Sequence, residues 1–213
     1  MMKMRQILFR FIFLIFLFTA NLFLLSGCSL MSPVPAHSQS AYVIDSVPSN
    51  VPKRSTQAMT MLVMQPNALA AYDTDNMAYT IKPYEISYFS QNRWAETPAQ
   101  MLQPLIVQAL QNTHYFNAVV SPPFAGNYQY MLNIRILKLQ QNFLYKPAVL
   151  QLVVRVQLIK VGSNAVIATK LFSLREPIVE QTPYGGVLAA NKATEKWLRE
   201  LAQFCVENIG ASR

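Results

Sequence analysis

The pattern of apolar and polar positions changes period along the chain, and each change marks an element. The most regular stretch is Ala148 to Ile159. There Ala148, Leu150, Leu152, Val154, Val156 and Leu158 alternate with a mixed set that includes Gln151, Arg155 and Gln157. Successive strand residues point to opposite faces, so a period of two predicts a sheet with one buried side. Val161-Gly162-Ser163-Asn164 supplies a hairpin loop that returns the chain through Val166 to Arg175, as far as Pro177. Tyr128 to Leu139 carries Tyr130, Leu132, Ile134 and Ile136 on one face and is the expected third member of an antiparallel meander.

Shorter β-prone runs come earlier. One is Ala41 to Asp45, closed by Val47-Pro48-Ser49-Asn50; another is Met59 to Met64, closed by Gln65-Pro66-Asn67. Asp73-Thr74-Asp75-Asn76 is a turn signal, and the aromatic-rich stretch from Met77 to Tyr88 reads as extended, broken at Pro83. The period then becomes helical. Thr97-Pro98-Ala99-Gln100 has the capping-box order, with proline at the first helical position, and Leu102, Leu105, Ile106, Ala109 and Leu110 follow at helical spacing. Pro104 lacks the backbone donor a helix interior needs, which leaves room for a kink there or a start beyond it, but the helix is read through it, with its first turn open. A closing helix from Pro183 to Ile209 gathers Val187, Ala190, Trp197, Leu201 and Phe204 on one stripe, with Glu195 and Arg199 as an i,i+4 pair outside it. About six strands, mainly antiparallel, and two amphipathic helices packed on one face make an α+β, two-layer domain.

The N-terminus follows another rule. Lys3, Arg5 and Arg10 precede a run from Phe11 to Leu25 that is apolar except at Thr19 and Asn21. As a helix this run spans roughly 22 Å, short of the roughly 30 Å hydrocarbon core of a bilayer, so it reads as a cleaved export signal and not as an anchor helix. Leu25-Ser26-Gly27-Cys28 resembles the lipobox of bacterial lipoproteins. That resemblance implies removal of residues 1–27 and acylation of Cys28, giving a lipid attachment that would hold the protein on its membrane. Ser29, which is not aspartate, then favours the outer membrane by the enterobacterial sorting rule. Residues 28–40 are rich in Ser, Pro and Ala and read as a flexible tether, leaving 41–213 as one folded domain.

Cleavage removes three basic residues and no acidic one, which lowers the formal net charge from +8 to +5. The remaining cations are scattered, with no run beyond Lys53-Arg54, so the basic balance argues for a solvated surface and against a nucleic-acid partner. Once Cys28 is acylated, Cys205 is the single remaining thiol. No intrachain disulfide is then possible, and Cys205, at helical spacing with Leu201, Phe204 and Ile209, reads as a buried inert residue.

A catalytic constellation is not legible. His37 falls in the tether, and the neighbours of His114 (Asn112, Thr113 and Tyr115) include no carboxylate or thiol. The chain has six glycines and no phosphate-binding loop. Asp73 and Asp75 begin like a calcium loop, but neither the glycine nor the closing glutamate follows, so they read as a turn. No catalytic, cofactor-binding or metal site is expected. Trp94, just ahead of the capping box, reads as a core residue packed against the helix, with presentation to a partner as the alternative.

Here the chain resembles the ABC-type transport auxiliary lipoproteins, the family of the paraquat-inducible protein C-like lipoproteins. Tyr42-Val43-Ile44-Asp45 is similar to the family's opening strand. Tyr79 with Tyr88, then Arg93-Trp94-Ala95-Glu96 before Pro98, is similar to its central signature, and Pro177 followed by a long last helix to its ending. Gln181-Thr182, where an acidic residue often stands, and the interior Pro104 depart from the pattern. The resemblance implies a non-catalytic, outer-membrane-anchored periplasmic component of a lipid-transport system, docking on the tube of a periplasmic MCE-domain protein. It makes Tyr42, Tyr88, Trp94 and Pro98 signature residues for core or partner contact, and a tube-end partner would favour a homo-oligomeric ring. The alternatives are a plug or assembly lipoprotein of another envelope machine, such as lipopolysaccharide export, and a periplasmic enzyme.

Overall fold

The computed structural model describes residues 4, 5, 7, 9, 10, 12–17 and 38–211. The described residues of the N-terminal segment are helical and exposed, and no described helix is long and apolar enough to cross a membrane. Cys28, Ser29 and His37 lie outside the described residues. Gln39–Arg213 forms a compact unit of its own.

That unit is α+β, as the periodicity predicts, but with nine strands where about six are expected. They are β1 (Ser40–Tyr42), β2 (Gln57–Val63), β3 (Asn67–Ala68), β4 (Asn76–Thr80), β5 (Ser87–Trp94), β6 (Phe116–Val120), β7 (Tyr130–Asn142), β8 (Val149–Lys160) and β9 (Ala165–Pro177). The helices α1 (Pro98–Gln111) and α2 (Pro183–Ala211) complete it. β7, β8 and β9 form the expected antiparallel meander, with Leu132 opposite Leu158 and Val154 opposite Phe172. The other edge of β7 departs from the antiparallel expectation. There β2, β3 and β4 pair in parallel with successive segments, Met61 beside Tyr130, Asn67 beside Arg135 and Ala78 beside Gln140. One edge line is thus cut into three by Pro66 and by the 70–76 turn, because proline cannot donate to a ladder and the Asp-rich turn redirects the chain. β6 also joins β2 in parallel, with α1 between them in sequence.

Alternation works as the pattern requires. Leu150, Leu152, Val154, Val156 and Leu158 are almost wholly buried, while Arg155 on the other face is exposed. α2 lies on β8 and β9, α1 on β6, β2 and β3, and the helices touch each other. The side chains between them and the sheet include Trp197, Leu102, Ile106 and Leu201. Cys205 sits in this layer fully buried, and desolvation pushes its thiol far above the usual range, so it is protonated and inert.

The cap of α1 is the one its sequence spells out. Thr97 accepts from the Gln100 backbone N–H, and the Gln100 side chain accepts from the Thr97 backbone N–H at 3.1 Å. Pro104 lies inside the helix, which starts at Pro98 and not beyond Pro104. A register shift between Ile136 and Lys138 turns Gln141 onto the helix side of β7. On the other face Tyr72 donates to Gln140 Oε1 at 2.5 Å, and Asn142 donates to Gln151 Oε1 at 3.1 Å. Each amide in this buried cluster has a partner, as burial of a polar group requires.

Candidate functional site

Three of the four signature residues meet at one place. Tyr42 on β1 pairs with Trp94 at the end of β5, and the Ala95 backbone N–H donates to the Tyr42 carbonyl at 2.7 Å. Pro98 follows as the buried first residue of α1. Trp94 is 3 % exposed and belongs to the core. Its backbone N–H donates to Asp75 O at 2.7 Å, and Arg93 reaches the Asp75 carboxylate at 3.0 Å. Asp75 therefore ties the turn to β5.

Tyr42 is half-buried, donates to Asn92 Oδ1 at 3.2 Å, and has its ring centroid 5.8 Å from that of Tyr184. Tyr88 stands apart. It is six residues before Trp94 on the same strand, about 20 Å away, and its hydroxyl donates to the Ala71 carbonyl at 3.1 Å. The signature is thus a structural junction at Tyr42, Trp94 and Pro98 with a separate brace at Tyr88.

The residue that organises the junction, Asn191 on α2, carries no signal in the sequence pattern. Its Oδ1 accepts from the backbone N–H groups of Asp45 and Ser46 at 3.0 and 3.1 Å, and its Nδ2 donates to the carbonyls of Val43 and Val187 at 3.2 and 3.1 Å. Arg199 adds a hydrogen bond to Asn50 at 2.8 Å while keeping the expected Glu195 pair at 2.9 Å. One amide satisfying four partners 140 and more residues apart in sequence, with the exception of its own helix turn, pins the leading segment between β5 and α2. The segment that follows Ser40 is thus bonded to the sheet through β1 and to the closing helix through Asn191.

Beside the junction, Val43, Ile44, Met101, Pro104 and Leu105 line an open groove of about 440 Å³. The groove offers apolar surface with Asp45, Glu96 and Gln100 at its margin and no nucleophile with a base. His114 is exposed just past α1 with φ 56°, and its carbonyl accepts from Thr56 at 2.8 Å. Among the described residues no group of three or more His, Cys, Asp or Glu could hold a metal ion.

The fold has solved relatives. A crystal structure of a Xanthomonas campestris protein of the DUF330 family is similar with TM-score 0.73 and 18 % identity, over 81 % of this chain and 98 % of that one. A crystal structure of an uncharacterised protein is similar with TM-score 0.65 and 14 % identity, over 79 % of this chain and 99 % of that one. At these identities the likeness is one of fold. No curated protein sequence matches the chain. A family model described as the ABC-type transport auxiliary lipoprotein component matches residues 42–202, from Tyr42 at the junction to the last turns of α2, and the chain belongs to that family.

Proposed function

We propose that the protein is a non-catalytic lipoprotein, acylated at Cys28 and held on the outer membrane, whose periplasmic domain docks the tube of an MCE-domain protein in an ABC-type lipid-transport system. The observation that carries this reading is the family match, which covers residues 42–202 and so nearly the whole compact unit. Membership makes the protein an auxiliary lipoprotein of an ABC-type transporter; the MCE partner, the outer membrane and a ring of copies are what we add. The junction supports a mechanical role, since the leading segment is bonded to both layers of the domain at Asn191 and β1. A tethered adaptor transmits load through such bonds, and no transferred group is required.

The test is crosslinking in intact envelopes followed by purification through this protein. Recovery of an MCE-domain protein supports the reading. Recovery of a lipopolysaccharide-exporting β-barrel in its place would assign the protein to a different envelope machine.

A further inference from the structure

One end of the sheet gathers several exposed apolar side chains on neighbouring loops. β4 and β7 run in parallel to that end, where Thr80 lies beside Asn142, and the β7–β8 hairpin, the end of β9 and the start of β5 meet there. Three loops project from it, spanning 81–86, 143–148 and 178–182. They carry exposed large side chains: Ile81 is 61 % exposed, Tyr84 109 %, Leu144 46 %, Tyr145 39 % and Val179 87 %. From β9 to β5 this apolar tip is four strand spacings wide, about 19 Å. Tyr84 also has φ 65°, a left-handed conformation uncommon for a bulky residue, at the point where its ring is entirely outside the fold. Apolar side chains scattered singly need no explanation; several gathered on three neighbouring loops do.

The chain itself indicates what covers them. β1 runs parallel to β5 with Ser40 beside Asn92, and the Gln39 amide donates to Ser90 O at 3.0 Å. Going backwards from Ser40 the chain therefore heads along β5 towards Ser87, the end that bears the tip. Cys28 is eleven residues before Gln39, a reach of at most roughly 40 Å. Tyrosine and aliphatic side chains with Lys82 and Lys146 beside them have the chemistry of a bilayer interface, where amphipathic rings sit at headgroup level. Glu85, 3.9 Å from Lys82, and Glu180 offset the two lysines, while the Arg175 guanidinium lies over the Tyr145 ring 5.2 Å from its centroid, so apolar burial would outweigh net charge in driving contact.

We infer that the 81–86, 143–148 and 178–182 loops form a membrane-facing tip that rests in the interfacial layer of the bilayer holding Cys28. The inference rests on the anchor proposed above and adds an orientation: the acylated end of the chain and the tip face the same lipid surface, with the opposite end of the sheet turned away from it.

Acylated full-length protein in vesicles of phosphatidylethanolamine and phosphatidylglycerol tests this. With Cys28 acylated and Cys205 buried, a cysteine introduced as Tyr84→Cys or Ile81→Cys is the accessible thiol for an environment-sensitive fluorophore. Val166→Cys, exposed at the start of β9 and roughly 35 Å from that strand's far end, is the control. The expected result is a blue-shifted label at both tip positions, quenched several-fold more than the control by lipids carrying a headgroup-level nitroxide, with little change in high salt. A tip label that stays water-like, or is quenched no more than the control, overturns the inference. So does a label shielded from water yet unquenched by lipid, which would place a second protein on the tip. Protein that fails to float with the vesicles overturns the anchor at Cys28, and this inference with it.

Discussion

The side-chain amide of Gln141 on β7 occupies the space that a Cβ on Gly186 of α2 would need. The Gln141 amide donates to the Pro183 carbonyl at 3.2 Å, while its own Oε1 is buried without a hydrogen-bond partner. Alanine at 186 therefore requires the Gln141 amide to move, in a helix that would otherwise favour alanine by about 1 kcal/mol. Gly186→Ala should destabilise the domain by about 1–3 kcal/mol, through overpacking and loss of the amide's one bond. Combining it with Gln141→Ala should recover most of that loss, since the obstructing group is gone. Urea denaturation of the four proteins of this cycle measures the coupling, and strict additivity would show that the close approach has no energetic consequence.

Trp94 is buried where β1, β5 and the start of α1 join. Trp94→Ala should cost on the order of 3–5 kcal/mol and clearly lower the melting temperature. Loss of partner capture would follow from the unfolding. A variant that melts normally but no longer captures its partner would make the indole a contact residue in place of a core one.

Burial and the neighbouring Tyr88 push the Tyr72 hydroxyl up to about 12 from an ordinary value of 10.0. The folded state then holds its proton where the unfolded chain has released it. The contribution of Tyr72 to stability is complete below pH 10 and is lost as pH rises towards 12. Ultraviolet titration should show one phenol ionising late, and Tyr72→Phe should remove it. A titration identical in the two proteins would contradict the burial of that hydroxyl.

Cys28→Ala should abolish acylation while leaving the domain folded, because the compact unit begins at Gln39. Incorporation of labelled palmitate by the variant would refute the attachment site. Ser29→Asp should shift the protein to inner-membrane fractions in a host that uses the enterobacterial rule. Unchanged fractionation would mean that sorting reads another signal.

The elements whose period is long were legible in one dimension. Strands β7, β8 and β9 and both helices follow from alternation or from the 3.6-residue stripe, and the α1 cap from the order Thr97 to Gln100, because a side chain's direction within an element depends on backbone geometry alone. β3 and β6 were not legible. A pair of residues has no period, and Phe116–Val120 is short and follows directly on a helix.

Parallel pairing along β7 was invisible for a different reason. Periodicity gives the face a residue occupies but not the neighbour its strand will meet, and here a discontinuous edge of three pieces fills one side of a single long strand. The motif residues divide in the same way. Tyr42, Trp94 and Pro98 stand out by type and order, and folding brings them together across 50 residues and more; Asn191, an ordinary polar residue on a helix, acquires its role only when the leading segment is laid beside it. The projecting tip likewise depends on which loops the sheet places side by side. Local chemistry is written along the chain, whereas a surface is made by residues that only long-range packing makes neighbours.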